Sequence, residues 1–179
     1  MKNENTPKIG IFFGSDTGNT EKVANIIKKN LDPSFSAEVN DIAKSNQEDL
    51  EKFSLLLLGI PTWYYGEPQC DWEDFFATLR KIDFSKKYVG IFGCGDQVDY
   101  SEYFCDAMGT LRDILHEQGA KIIGKWSTRG YIFDSSKSLV NNKYFVGLAI
   151  DEDRQPELTN ERVKRWIIQI CSEIYPVLS

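Results

Sequence analysis

A loop with the composition of a phosphate-binding site follows the first apolar run of the sequence. The loop contains Ser15, Asp16, Thr17, Gly18, Asn19 and Thr20. Three hydroxyls, one amide and one glycine stand where a strand would run into a helix, and the backbone N–H groups at a helix N-terminus attract anions. The lysine of a nucleoside triphosphate loop is missing. We therefore expect neutral donors to hold a phosphate here, although the same residue types also cap helices.

Three consecutive aromatic residues stand in the loop after the third apolar run. The segment contains Pro61, Thr62, Trp63, Tyr64, Tyr65 and Gly66. Aromatic rings in a loop are costly to expose unless they cover something flat, and stacking on a planar ligand adds to the apolar area that is buried. The segment predicts an aromatic ligand, and the alternative is a small hydrophobic cluster beneath a long loop.

A third loop combines small residues, an acid and an aromatic ring. It comprises Gly93, Cys94, Gly95, Asp96 and Gln97, followed by Tyr100. Glycines let a backbone approach a ligand closely, but Val98 stands where a dinucleotide loop needs its third glycine. The alternative is an ordinary strand-to-helix turn that an acid caps. One phosphate loop and two loops with aromatic faces describe a flat ring system on a phosphorylated tail, which predicts FMN as the cofactor.

The elements that would position these loops alternate between short apolar runs and amphipathic stretches. Strands are predicted at Lys8 to Phe13, Ala37 to Asn40, Leu55 to Gly59, Tyr88 to Gly93 and Ile122 to Trp126. Helices are predicted at Asn19 to Leu31, Gln47 to Lys52, Cys70 to Lys81, Ser101 to Gln118 and Thr159 to Tyr175. This alternation is typical of an α/β protein with a parallel sheet, in which ligands bind at the carboxyl ends of the strands. Between Trp126 and Phe145 the periodicity fails, which predicts an insertion into or beside strand five.

The composition limits the classes of function. A chain of 179 residues fits one domain, and its formal net charge of −6 argues against nucleic acid as a partner. No apolar run reaches the length of a membrane span, and the first residues lack the apolar stretch of a secretory signal, so a cytoplasmic protein without a membrane partner is expected. The cysteines are scattered without a C-x-x-C pair, so we expect free thiols and no metal site.

The three loops together resemble those of the flavodoxin family. The resemblance rests on Ser15-x-Thr17-Gly18-x-Thr20, on Pro61 to Gly66 and on Gly95-Asp96-Gln97 with Tyr100, and it extends from about Lys8 to Ile174. It implies a flavodoxin-like FMN-binding domain at 8–174, an N-terminal extension at 1–7, and a doubly wound, five-stranded parallel sheet of order 2-1-3-4-5. The insertion at strand five is similar to that of the long-chain bacterial flavodoxins.

The resemblance also implies a role for each loop. Ser15 to Thr20 would hold the phosphate, and Trp63 and Tyr100 would sandwich the flavin ring. Cys94 to Gln97 would contact the pyrimidine edge of that ring through backbone groups. Further contacts would come from Thr62, Tyr64 and Asp153.

By the same resemblance the chain is a low-potential one-electron carrier and not an enzyme. Its donor would be an NADPH-dependent flavodoxin reductase, its acceptors would be reductive or radical enzymes, and the chain would be a monomer. An alternative, an FMN-dependent reductase, needs an open flavin face, which Trp63 and Tyr100 would close. A second alternative, a phospho-accepting signalling domain, needs an aspartate at the end of strand three, where Gly59, Ile60 and Pro61 stand.

Overall fold

Apolar runs of the sequence become the strands of one central sheet. The computed structural model describes residues 7–31, 33 and 35–178, so the predicted extension at 1–7 lies outside the described residues except for Pro7. The strands are β1 (Lys8–Phe13), β2 (Ser36–Asp41), β3 (Leu55–Gly59), β4 (Thr62–Trp63), β5 (Glu67–Pro68), β6 (Tyr88–Cys94), β7 (Lys121–Ile123), β8 (Trp126–Ser127), β9 (Leu139–Asn141), β10 (Tyr144–Phe145) and β11 (Leu148–Ile150). The helices are α1 (Asn19–Asn30), α2 (Gln47–Glu51), α3 (Cys70–Leu79), α4 (Asp106–Glu117) and α5 (Thr159–Leu178).

The central sheet is parallel and has the predicted strand order. Ile9 of β1 lies opposite Ala37 of β2 on one side and opposite Leu55 of β3 on the other. β6 then pairs with β3, and the fifth position lies beyond β6. The order 2-1-3-4-5 is therefore confirmed, and the reversal of winding beside β1 places the loops after β1 and β3 at the topological switch point, where such sheets bind ligands.

The fifth position of the sheet is filled by two short strands rather than one. β7 pairs with the first half of β6, and β11 pairs with its second half, where Phe92 lies opposite Leu148. The prediction of a single strand from Ile122 to Trp126 is wrong in its second half, because the chain turns away at Gly124, whose φ is +79°. Trp126 instead belongs to a three-stranded antiparallel sheet of order β8-β10-β9. The segment from Trp126 to Phe145, where the sequence predicts an insertion, carries β8, β9 and β10 and lies between β7 and β11.

Helix α4 begins later than the sequence predicts. Ser101–Tyr103 form a turn of 3₁₀-helix, and the chain then passes through Cys105 with a φ of +55° before the α-helix starts at Asp106. The left-handed backbone at Cys105 interrupts any continuous helix. The segment at 101–105 therefore belongs to the loop that follows β6.

Helices on both faces of the sheet bury its apolar side chains. The aliphatic run at 55–58 in β3 is buried throughout, as expected of a central strand. Two tryptophans fasten helices to the ends of strands: Trp72 Nε1 of α3 donates to the carbonyl of Gly59 at 2.7 Å, and Trp166 Nε1 of α5 donates to that of Gly124 at 2.6 Å. Among the described helices, none combines the length and the hydropathy that crossing a membrane requires.

Candidate functional site

The loops after β1, β3 and β6 surround one cleft at the carboxyl edge of the sheet. The cleft has a volume of about 240 Å³ and is lined by Ser15, Asp16, Thr17, Asn19, Thr20, Pro61, Thr62, Trp63, Tyr64, Cys94, Gly95, Asp96, Tyr100 and Asp153. Each of these is a cofactor-binding residue predicted from the sequence, so folding brings the three predicted loops together. Their individual contacts with a cofactor stay predictions.

The other predicted residues shape the loops without lining the cleft, namely Gly18, Tyr65, Gly66, Gly93 and Gln97. Gly66 has a φ of +89°, and a Cβ added to it would lie 2.7 Å from Asp106 Oδ2. A Cβ at Gly93 would lie 2.8 Å from the backbone oxygen of Ile60. Glycine is therefore required for the close approach of the chain at both positions.

The loop after β1 presents backbone and hydroxyl donors at the start of α1. Gly18 precedes the helix with a φ of +89°, and its N–H donates to Ser15 Oγ at 3.0 Å. No side chain caps the described N-terminus of α1, so the loop does more than close a helix end. The Thr20 hydroxyl is buried and lies beside the Cys94 thiol, but it makes no hydrogen bond of normal geometry with a described residue. An unpaired buried hydroxyl costs about 1–3 kcal/mol, which an anion at the helix N-terminus would offset.

The aromatic segment forms a small hairpin over the cleft. β4 pairs with β5, and Tyr64 and Gly66 turn the chain between them with positive φ values. Trp63 is half-buried, and its Nε1 is a second buried donor without a partner among the described residues. The rings of Tyr64 and Tyr65 are 59% and 73% exposed. The alternative of a hydrophobic cluster beneath the loop is therefore disfavoured, since these two rings cover no core.

Asp151, buried at the end of β11, ties down the loop after β6. Its Oδ2 accepts the backbone N–H of Gln97 at 3.0 Å and the side-chain amide of the same residue at 2.8 Å. Gln97 Oε1 in turn accepts the N–H of Ile132 from the insertion at 2.6 Å. Gln97 is therefore a structural link between the loop, the insertion and the last strand.

Arg154 pairs with the acids of the same loop. Its Nε and Nη2 donate to the two carboxylate oxygens of Asp96 at 3.0 and 2.9 Å, and Nη2 also lies 2.6 Å from Asp99 Oδ2. Partial burial would raise the pKa of the Asp96 carboxyl, but the hydrogen bonds from Arg154 and from the N–H groups of Val98 and Asp99 hold that pKa below its ordinary value. Asp96 is therefore a carboxylate with a compensating cation.

Two further groups of the cleft have a shifted pKa. Burial raises the pKa of the Cys94 thiol to about 12, so the thiol is neutral at physiological pH. Burial, together with the carboxylates of Asp96 and Asp151, raises the pKa of Asp153. Both shifts reflect a cleft that penalises additional negative charge on its side chains.

One group of side chains beside the cleft has the spacing of metal ligands. The ligand atoms of Asp16, Cys70 and Asp71 lie within 4.8 Å of one another. The amide of Gln69 stands among them, and its Nε2 donates to Asp16 Oδ1 at 3.0 Å and to Asp71 Oδ2 at 2.5 Å. The amide thus satisfies the carboxylates that a cation would need.

The sequence did not identify Asp151 and Arg154 as residues that organise the site. Asp151 directly follows β11, a three-residue strand that the sequence analysis did not predict. The apolar run of β11, Leu148 to Ile150, is followed by an acid, and β6 is likewise followed by an acid in its loop. This repeated pattern was the signal in the sequence that could have indicated Asp151.

Comparisons with known proteins agree with this geometry. A family model described as Flavodoxin matches residues 11–166. The chain is 64% identical to the flavodoxin of Klebsiella pneumoniae over 93% of this chain and 94% of that protein, and 64% identical to flavodoxin 1 of Escherichia coli strain K12 with the same coverage. A crystal structure of Fusobacterium nucleatum flavodoxin bound to flavin mononucleotide superposes with a TM-score of 0.87 at 34% identity, covering 93% of this chain and 98% of that one.

Proposed function

The chain belongs to the flavodoxin family, and we propose how its own residues perform the function that this family implies. It is an FMN-binding electron carrier and not an enzyme. When bound, FMN supplies a flavin ring that accepts and donates electrons one at a time. The protein has to bind the phosphate, cover the ring and set the charge around it.

The observation that carries the proposal is the pair of unpartnered buried donors in the cleft. Thr20 Oγ1 and Trp63 Nε1 belong to two different loops, and both side chains line the same cavity. Buried polar groups are nearly always hydrogen-bonded in proteins, so two such orphans in one cleft indicate a missing acceptor. A phosphate group supplies several acceptor oxygens, and these residues therefore fit FMN.

The remaining loop residues fit the rest of the cofactor. Ser15 to Thr20 would hold the phosphate with neutral donors at the N-terminus of α1. The rings of Trp63 and Tyr100 would cover the two faces of the flavin, and the 40% exposure of Tyr100 leaves one ring at the surface for electron transfer. The backbone of Cys94 to Gln97 would contact the pyrimidine edge.

We propose that an NADPH-dependent reductase donates electrons to this protein. We propose reductive or radical enzymes as the acceptors. Glu67 and Glu73 line a pocket that adjoins the cleft. These acids support basic partner surfaces and a low potential for the last electron, because they disfavour a further negative charge. The free thiols of Cys70, Cys94 and Cys105 support a reducing compartment such as the cytoplasm. We further propose that the chain is a monomer and that its FMN-binding domain comprises residues 8–174.

A titration of the apo-protein with FMN and with riboflavin tests the cleft assignment. FMN should bind more tightly by orders of magnitude, because each hydrogen bond to the charged phosphate contributes about 1.5–3 kcal/mol. Equal affinities for FMN and riboflavin would contradict the assignment of the loop after β1 to the phosphate.

A stepwise reduction followed by visible spectroscopy tests the carrier role. Two separate one-electron steps are expected, with no oxidation of NADPH by the purified protein alone. Turnover of NADPH without a reductase would favour the alternative of an FMN-dependent reductase with an open flavin face.

A further inference from the structure

A groove between the inserted sheet and helix α5 collects positive charge in an acidic protein. The groove has a volume of about 1000 Å³, and β8, β10 and the first half of α5 contribute to its walls. Its cationic lining residues are Lys125, Arg129, Lys143, Arg162 and Arg165, and Glu161 is the single acid among the lining residues. This basic groove shares no lining residue with the FMN cleft. The whole chain, by contrast, has a formal net charge of −6.

The cations of the basic groove have no acidic partners within the described part of the chain. Elsewhere, side chains such as Lys22, Arg112 and Arg154 lie within 4.0 Å of a carboxylate. None of the five groove cations takes part in such an ion pair with a described residue. Arg162 is buried and donates to Gln155 Oε1 at 2.7 Å. The other four cations are exposed, so the charge available to a ligand is that of Lys125, Arg129, Lys143 and Arg165.

Aromatic rings hold three of these cations in place. Arg162 lies 4.0 Å from the centroid of the Tyr131 ring, Lys125 lies 5.0 Å from that of Tyr144, and Arg165 lies 5.5 Å from that of Trp126. Such cation–π contacts reduce the side-chain entropy that binding would otherwise cost. The groove is thus organised before a ligand arrives.

Two exposed cations of the groove, Arg129 and Lys143, are carried by segments that hydrogen-bond to each other. The N–H of Thr128 donates to the carbonyl of Lys143 at 2.9 Å, which brings the turn that carries Arg129 beside Lys143. Together with Arg165 across the groove, they form a row of charges on two walls. An elongated anion fits such a row better than a single compact one does.

We propose that the basic groove binds an acidic segment of a partner protein, an extended stretch rich in aspartate and glutamate. A nucleotide would need an open aromatic face for its base, whereas Trp126 and Tyr144 are already covered by Arg165 and Lys125. A long nucleic acid would extend beyond the groove over a protein whose formal net charge is −6, and charge repulsion acts over a Debye length of about 8 Å at physiological salt. A short acidic peptide segment stays within the row of cations.

Fluorescence anisotropy of a labelled oligo-glutamate peptide with the full chain tests this inference. An oligo-glutamine peptide and a single-stranded oligonucleotide of equal charge serve as the comparison probes. Amide chemical shifts in a parallel NMR titration should change at 125–129, 143–144 and 161–169. The oligo-glutamate peptide should bind more tightly than both comparison probes, and its affinity should fall as salt rises.

The variant Arg129→Glu/Lys143→Glu should weaken oligo-glutamate binding by roughly tenfold or more, because each exposed charge pair changes from attraction to repulsion. The matched control is Lys28→Glu/Lys81→Glu, which changes the net charge equally at exposed positions outside the groove. An equal loss in both variants, shift changes confined to other surfaces, tighter binding of the oligonucleotide, or no oligo-glutamate binding at low salt would each overturn the proposal.

Discussion

The Thr20 hydroxyl offers a test in which cofactor affinity and apo-protein stability should change in opposite directions. The side chain is 1% exposed, and its hydroxyl makes no hydrogen bond of normal geometry with a described residue. Thr20→Val preserves the shape of the side chain and removes the hydroxyl. Loss of one hydrogen bond to a charged group should cost about 1.5–3 kcal/mol, which corresponds to roughly 10- to 150-fold weaker FMN binding.

The apo-protein should become more stable in the same variant. Valine removes an unpaired buried hydroxyl, so a gain of about 1 kcal/mol is expected, equivalent to about 2–4 °C in Tm for a chain of this size. Flavin fluorescence titration measures the affinity, and calorimetry of the apo-protein measures the stability. Thr78→Val, half-buried on α3 and outside the cleft lining, is the matched control.

Riboflavin separates the phosphate contact from a general distortion of the loop. Because riboflavin has no phosphate, its affinity should be the same for Thr20→Val and for the unmodified protein. A parallel loss of riboflavin affinity, or a less stable apo-protein, would refute the assignment of the Thr20 hydroxyl to the phosphate.

Three further predictions concern the rings that cover the flavin, the charge beside it and a buried acid. Trp63→Ala and Tyr100→Ala should each weaken FMN binding by about 0.5–1.5 kcal/mol beyond the loss of buried area; a fluorescence titration with unchanged affinity would contradict the sandwich. Arg154→Gln removes the cation that compensates Asp96, so potentiometry should show a lower potential for the second electron, and a rise would contradict this electrostatic role. Burial raises the pKa of the Asp106 carboxyl, so the folded protein holds that proton more tightly than the unfolded chain does. Stability should therefore fall as pH rises through the window just above about 4, and urea unfolding of Asp106→Asn should show a smaller fall.

The positions of the cofactor loops could be predicted because each loop follows a strong strand signal. β1 and β3 begin and end at the residues predicted, and the continuous aliphatic run of β3 leaves no other assignment. Parallel strands place their carboxyl ends along one edge of the sheet, so the loops after β1, β3 and β6 had to meet. The local sequence was therefore sufficient to predict the position of a loop wherever that position depended on a single adjacent strand.

The fifth position of the sheet could not be predicted in the same way, since it is built from segments distant in sequence. β7 and β11 have three residues each, which is too short for a periodic pattern. Their pairing with β6 is decided by the turn at Gly124 and by the return of the chain after β10. Asp151 and Arg154 were missed for the same reason, because their importance depends on the strand that precedes them.

The start of α4 shows a second limit of local reasoning. The sequence predicts one helix from Ser101 to Gln118, yet the structure places a left-handed residue at Cys105. The backbone N–H of Ala107 donates to Thr62 Oγ1 at 3.0 Å, so the first turn of α4 is fixed by the aromatic hairpin. The start of the helix is therefore set by a tertiary contact, and the helix propensities of the segment's own residues do not determine it.

The split of the fifth strand explains how an insertion so far along the chain can support the cofactor loop. Serine hydroxyls of the inserted segment donate to backbone carbonyls of the loop after β6, from Ser135 to Glu102 and from Ser136 to Phe104, each at 2.5 Å. The N–H of Lys137 donates to Asp106 Oδ1 at 2.7 Å. These bonds satisfy backbone groups that a free loop would leave to water. The segment that carries Tyr100 is thus held from the insertion side as well as from β6, and a strand interrupted at this point lets the chain reach that loop before it returns to the sheet.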